Sequence, residues 1–245
     1  MDEYEIFRGG GDYFNPKTPV AALKAYESGF IPITAFINRS NSTKPLDEEP
    51  YDIEAIERLL SRENLTLKSN LMLMGIFEKL IFHRDQEIAL FAAESINIIE
   101  NRYNNKIQEI KDKQEVDKTS DDLSTLGTLF YELAILNGKR AAIKDFYLKE
   151  SLSCFTALEE IRNFSDRELN LYIRLLLELK LDEEAAKTLE NDDRKNRKLI
   201  LFLQAETEFS RKRFQKVKEI CQELTLHIEE LTEREFVMVS YWLGA

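Results

Sequence analysis

Residues 165–189 read Ser165-Asp166-Arg167-Glu168-Leu169-Asn170-Leu171-Tyr172-Ile173-Arg174-Leu175-Leu176-Leu177-Glu178-Leu179-Lys180-Leu181-Asp182-Glu183-Glu184-Ala185-Ala186-Lys187-Thr188-Leu189. Ser165 to Glu168 has the spacing of a capping box, and Leu169, Tyr172, Ile173 and Leu176 recur every three or four residues, so a helix runs from here to Leu179. Asp182 then caps a short helix reaching about Glu190. Shifted by 32 residues, the stretch falls on a second one of the same pattern: Leu169 on Leu201, Leu171 on Leu203, Ile173 on Ala205, Ala185 on Val217 and Leu189 on Cys221. Small residues at a helix crossing with larger ones a turn away suit closely packed hairpins, and a fixed period of this length marks stacked hairpins.

The rest of the chain agrees with that reading. All five prolines lie at positions 16, 19, 32, 45 and 50, and only Gly75, Gly127, Gly138 and Gly244 follow Pro50. Proline and glycine cost a helix interior about 3 and about 1 kcal/mol relative to alanine. Sheets need turn residues at short intervals, so an all-β fold is excluded and a parallel α/β fold is disfavoured. A chain of 245 residues is one or two domains or one helical array, able to bury roughly 70–75% of its unfolded surface. Its 34 Lys+Arg against 45 Asp+Glu give a net charge of −11, which argues against nucleic acid as a partner. The apolar runs fall short of the ~20 residues of a membrane span. No secretory start is present, and Cys154 and Cys221 lack CxxC spacing, so a reducing cytoplasm is expected.

Residues 1–50 read as an irregular N-terminal arm with one short helix around Ala21 to Glu27. Its Gly9-Gly10-Gly11 run lacks the preceding strand and the Gly-Lys-Ser/Thr of a phosphate loop. From Asp52 the helical period takes over. Helices are expected from Asp52 through Leu60, over Leu65 to Phe82, Gln86 to Asp112, Asp121 to Leu136 and Arg140 to Arg162, then the two pairs already described. A second capping box, Thr232 to Glu235, opens a terminal helix. Asn137-Gly138 is expected to end its helix with glycine in the left-handed region, and Lys111 to Asp122 reads as a charged linker. The expected segmentation is 1–50 arm, 51–113 helical hairpin, 114–245 helical repeats with a capping helix.

The 32-residue match is similar to the tetratricopeptide repeat, although the consensus period is 34 and Lys180 stands where a turn glycine is expected. Leu80 to Ile96, with Asp85 at the turn, Ile88 and Ile96 in the core and Ala92-Ala93 at the close contact, is similar to a HEAT-type hairpin. That order, with Phe91-Ala92-Ala93-Glu94-Ser95-Ile96 leading to Glu100-Asn101-Arg102-Tyr103-Asn104, then Phe130-Tyr131-Glu132-Leu133-Ala134 and the closing Val239-Ser240-Tyr241-Trp242-Leu243-Gly244, resembles the cytoplasmic repeat region of the PelE family. Those proteins are membrane-scaffold subunits of bacterial Pel exopolysaccharide synthesis, with transmembrane helices ahead of the repeats where this chain has its arm. The resemblance covers about residues 50–245. It implies an all-α, right-handed helical-hairpin array (an α-solenoid) and a noncatalytic scaffold. It also implies peripheral placement at the inner membrane through a partner: a glycosyltransferase, a cyclic-di-GMP receptor or a membrane scaffold subunit. A generic regulatory adaptor shares every pattern above. A helical hydrolase or nucleotide-binding enzyme would need a buried cluster of carboxylates or histidines.

No catalytic, cofactor or metal site is expected. His83 lies in a helix turn and His227 after a helix end, without ligand spacing. Glu159-Glu160, Glu183-Glu184 and Glu229-Glu230 diverge on their helices as solvated faces. Residues 191–218 hold nine basic and four acidic residues. Arg194, Lys195, Arg197 and Lys198 with Arg211, Lys212 and Arg213 would sit at opposite ends of one helix, as solvated turns or as a docking patch for an acidic surface. Arg167, Asn170 and Arg174, at i, i+3 and i+7, form a polar stripe that either grips a partner peptide or is an exposed amphipathic face. Tyr241 and Trp242 either pack the terminal cap or anchor a partner.

Overall fold

The computed structural model describes residues 51–62, 64–113, 119–190 and 197–244, and among these the protein is all-α, with ten α-helices, one 3-10 helix and no strand. The expected N-terminal arm with its short helix and glycine run, the middle of the charged linker, Arg194 and Lys195 lie outside the described residues. The chain divides into two compact units between Lys79 and Leu80. That division crosses the expected 51–113 hairpin.

The first unit contains α1 (Ile53–Leu60) and all but the last residue of α2 (Leu67–Leu80). Asp52 caps α1 as its position suggested, accepting the Ala55 N–H at 3.0 Å. Ile56 and Leu60 on α1, and Leu73, Met74, Ile76 and Phe77 on α2, are buried.

The second unit runs α3 (Gln86–Lys111), α4 (Ser120–Leu136), α5 (Ala141–Ile161), α6 (Asp166–Glu178), α7 (Asp182–Glu190), α8 (Arg197–Ser210), α9 (Phe214–Leu224), a 3-10 turn (Thr225–Glu230) and α10 (Glu233–Leu243). Each helix packs on the next, and α4 also meets α6, as α6 meets α8. Asp85 caps α3 by accepting the Glu87 N–H at 2.9 Å. The expected linker is held at both flanks, because Lys113 Nζ lies 2.6 Å from Asp122 Oδ1 and Thr119 forms a capping box with Asp122. These donors hold the Asp122 carboxyl down at about 2.

The tightest joint is α4 on α5. Ser151 Oγ donates to the Gly127 carbonyl at 2.7 Å, and a Cβ at Gly127 would lie 2.9 Å from the Phe155 ring. Glycine is required here by close approach, not by backbone angle. From this joint one apolar cluster extends through Leu158, Leu169, Ile173, Leu176 and Ala185 to Leu203, and a second joins Leu201, Val217, Cys221, Leu224 and Val239. Of the register positions paired by sequence, all but Leu171 and Ala205 are buried, and those two are partly buried against the clusters.

Two local expectations are corrected. Gly138 does not enter the left-handed region; α4 instead ends at buried Asn137, whose amide donates to the Leu133 carbonyl at 3.0 Å and terminates the turn by a side-chain bond. Asp182 is the first residue of α7 rather than its cap, and its carboxylate accepts from Ser210 Oγ at 2.8 Å. The left-handed helix ends fall at Lys180 (φ 64°), Lys212 (φ 61°) and Gly244 (φ 75°).

Candidate functional site

Lys180 and Lys212 are 32 residues apart, and the backbone around them repeats bond for bond. Leu181 N–H donates to the Leu176 carbonyl at 2.9 Å and Lys180 N–H to Leu177 at 3.1 Å; Arg213 donates to Glu208 and Lys212 to Phe209, both at 2.9 Å. This is the Schellman arrangement, which satisfies the last carbonyls of a helix by turning one residue left-handed. Glycine enters that region without penalty, and here lysine occupies it twice. As a result α6 and α8 end at Glu178 and Ser210, and α7 and α9 begin at Asp182 and Phe214, each at the same offset.

The predicted polar stripe lies on α6. Arg167 is exposed. Asn170 is half-buried with Oδ1 enclosed and lacking a hydrogen-bond donor among the described residues. Arg174 reaches α8, with Nη2 3.1 Å and Nε 3.3 Å from the two oxygens of Glu206. Arg174 and Glu206 are themselves 32 residues apart, so one position of the register pairs with its own counterpart.

The described ones among the predicted basic residues, Arg197, Lys198, Arg211, Lys212 and Arg213, fall at opposite ends of α8, separated by its 14 residues, about 20 Å at 1.5 Å each. They do not merge into one patch, and most face acids. Arg197 Nη2 lies 2.7 Å from Glu223, while Lys198 bonds the Glu230 carbonyl at 2.9 Å and Glu235 at 3.3 Å. Arg211, only 10% exposed, reaches Glu183 at 2.7 Å and Glu208 at 2.9 Å, and Arg213 lies within 4 Å of both. Lys212 is exposed on its turn. The cations therefore brace successive helices to one another.

A surface that sequence reading singled out only through its aromatic end lies between α8 and α10. Here Phe202, Ala205, Glu206 and Phe209 of α8 face Met238, Tyr241 and Trp242 of α10 across a groove of about 520 Å³, floored by Val217, Cys221 and Leu224 of α9. The helices are tied at both ends: Lys198 to Glu235 at one, and the Phe209 ring 5.9 Å from Trp242 at the other, with Phe214 stacked 6.2 Å beyond. Trp242 thus packs the cap. Tyr241 is 79% exposed, with Phe209 at 54% and Met238 at 48% beside it. The groove's α8 face, spaced i, i+3, i+4 and i+7, is legible as a stripe once it is shifted by 32 onto Asn170, Ile173, Arg174 and Leu177.

A second depression of about 350 Å³ lies on another face of α8, where Glu190, Gln204, Glu208, Lys216 and Glu219 make it polar. Among the described residues no group of three or more His, Cys, Asp or Glu has a geometry that would hold a metal ion, and no helix is long and apolar enough to cross a membrane. Burial pushes the Cys154 thiol up to about 11 and raises that of Cys221, so both are thiols, not thiolates, at neutral pH. His83 and His227 are turn residues: His83 Nδ1 accepts the Asp85 N–H at 3.1 Å, and His227 Nδ1 lies 3.5 Å from Glu230. No protein-family model, curated protein or solved structure matches the chain.

Proposed function

We propose that the chain is a noncatalytic protein-interaction scaffold built as an α-solenoid of tetratricopeptide-like hairpins, with a HEAT-like pair ahead of them. The observation that carries this reading is the shared 32-residue register of helix ends, left-handed lysines and core positions in α6–α7 and α8–α9. Stacked hairpins of fixed period make extended surfaces whose use is recognition. An open apolar groove at the last helices supplies such a surface.

The more specific form of the proposal rests on the resemblance to the PelE repeat region. In that form the protein acts in the cytoplasm at the inner membrane, assembling a Pel-type synthase by recruiting its glycosyltransferase or cyclic-di-GMP receptor. Affinity purification of the tagged chain from its native host, with membranes solubilised, tests both levels. Stoichiometric recovery of a glycosyltransferase or cyclic-di-GMP receptor is expected. Recovery of other stoichiometric partners would leave the scaffold and remove the Pel assignment, while a chain purified without stoichiometric partner would remove the scaffold.

A further inference from the structure

We propose that the groove between α8 and α10 receives an amphipathic helix of a partner protein. The helix lies along α8, inserts apolar side chains beside Phe209, Met238 and Tyr241, and brings a Lys or Arg to Glu206. This rests on the scaffold reading and names the partner's chemistry. On α6 the counterparts of the groove face, Ile173 and Leu177, are packed into the core, with Ile173 fully buried, and α8 is one of the helices that meet α6. On α8 the same positions are Ala205 and Phe209, and they line open space instead. The open face is a strip of one helix, with Phe202, Ala205, Glu206 and Phe209 spaced i, i+3, i+4 and i+7, and a helix laid along such a strip is a complementary shape.

Arg174 meets Glu206 from the α6 side, and the next position at the same offset is Met238, which carries no charge. The Glu206 carboxylate remains 43% exposed on the groove wall. A cation entering the groove meets an acid that α10 leaves without a partner on that side. The groove, at about 520 Å³, is within the usual range for a binding cleft, and helices bound in grooves engage through anchors at i, i+3 or i+4 and i+7. A second copy is the poorer occupant, because each chain carries −11 and exposes Glu229 on the 3-10 turn and Glu233 at the start of α10.

The test is selection of a displayed library of 18-residue helical peptides against the full chain. Trp242 is the only tryptophan, so its emission reports occupancy at the groove itself. Enriched peptides are expected to share an apolar i, i+3/i+4, i+7 face with a Lys or Arg beside it and to shift Trp242 emission saturably. Their affinity should fall about ten-fold or more in Tyr241→Ala and in Met238→Glu, and about three-fold in Glu206→Gln. Both groove variants alter exposed positions, and unchanged helical circular dichroism verifies that they fold. Peptides that bind wild type and both variants equally, without moving Trp242 emission, would overturn the groove while leaving the scaffold. Enriched peptides with acidic instead of basic residues would overturn the charge assignment, and failure to enrich any peptide would overturn the scaffold with it. A dimer in sedimentation that Tyr241→Ala dissolves would make the occupant a second copy and refute the partner helix.

Discussion

The seam between α6 and α8 and the seam between α8 and α10 involve the same register positions, yet one is filled and the other is not. In the first, Ile173 is fully buried and Arg174 bridges to Glu206. In the second, Ala205 and Phe209 line a groove of about 520 Å³, and Met238 stands where the next charge would fall. The left-handed lysine turns ahead of α7 and α9 are alike, but the path into α10 passes through the 3-10 turn with its kink at His227, and α10 starts 36 residues after α8 where α8 starts 31 after α6. Side-chain volume and charge at these positions therefore change together with the backbone path into the last helix. The cleft opens where the spacing of the array lapses, at its last described helix.

The largest expected effect comes from treating the two seams alike. Ile173→Ala removes a fully buried side chain and leaves a cavity, and should cost about 3 kcal/mol of stability. Phe209→Ala, on the open seam and already 54% exposed, should cost about 1 kcal/mol or less even though it loses its contact with Trp242. Urea unfolding followed by circular dichroism compares them. Equal losses would mean that the groove is closed in solution.

Next in size are the two capping boxes that start α6 and α10. Glu168 is 7% exposed, accepts both guanidinium nitrogens of Arg162 at 2.8 Å and bonds Ser165, and these donors hold its carboxyl far below the usual carboxylate range. Glu235 is 29% exposed and is lowered mainly by the Thr232 N–H at 2.7 Å, with Lys198 adding to it. Glu168→Gln should therefore cost about 2 kcal/mol and Glu235→Gln about 1 kcal/mol. Both carboxylates, like Asp122 at about 2, are more acidic folded than unfolded. Their contribution is complete above the ordinary carboxylate value near 4 and is lost as the pH falls through the lower folded values. Acid unfolding of the wild type should thus steepen below pH ~4. In Glu168→Gln that slope should be shallower, because one linked proton is gone.

How much of this the sequence disclosed depends on whether the cause was local. The capping boxes at Ser165 and Thr232, the cap at Asp52 and the helix spans are set by residues within four positions of one another, and the structure has them within a few residues of where periodicity put them. The 32-residue offset was visible because core positions must stay apolar in every copy. The state of Gly138 was misread because a buried Asn137 side chain ended the helix first. The basic residues read as a surface feature because their acidic partners, Glu183, Glu223 and Glu235, lie on other helices, 26 to 37 residues away in the chain. The groove escaped for the same reason: its walls come from α8 and α10, and openness is a property of the gap, not of either wall.

A smaller effect sharpens the statement that the two turns are alike. A non-glycine residue in the left-handed region costs about 1–2 kcal/mol, part of which glycine forfeits through its greater freedom in the unfolded chain. Lys180→Gly and Lys212→Gly should each stabilise the protein, by about 0.5–1 kcal/mol, and by the same amount within error. A gain at one turn and a loss at the other would show that the equal φ values conceal different strain, and would separate the two hairpins that the register joins.

The smallest expected effect concerns the pair that the filled seam has and the open seam lacks. Arg174 and Glu206 are 49% and 43% exposed, so water and salt screen them and ordering two long side chains offsets much of the attraction. A double-mutant cycle of Arg174→Ala and Glu206→Ala should give a coupling of about 0.2–1 kcal/mol that shrinks in 1 M salt. If that coupling is present, a Met238→Arg variant, which places a cation at the next register position, should acquire a similar salt-sensitive coupling to Glu206 and protect Trp242 from quenching by acrylamide. If Met238→Arg couples to nothing, the distance across the groove, and not the missing charge, is what keeps the seam open, and narrowing it would require a larger residue at Ala205.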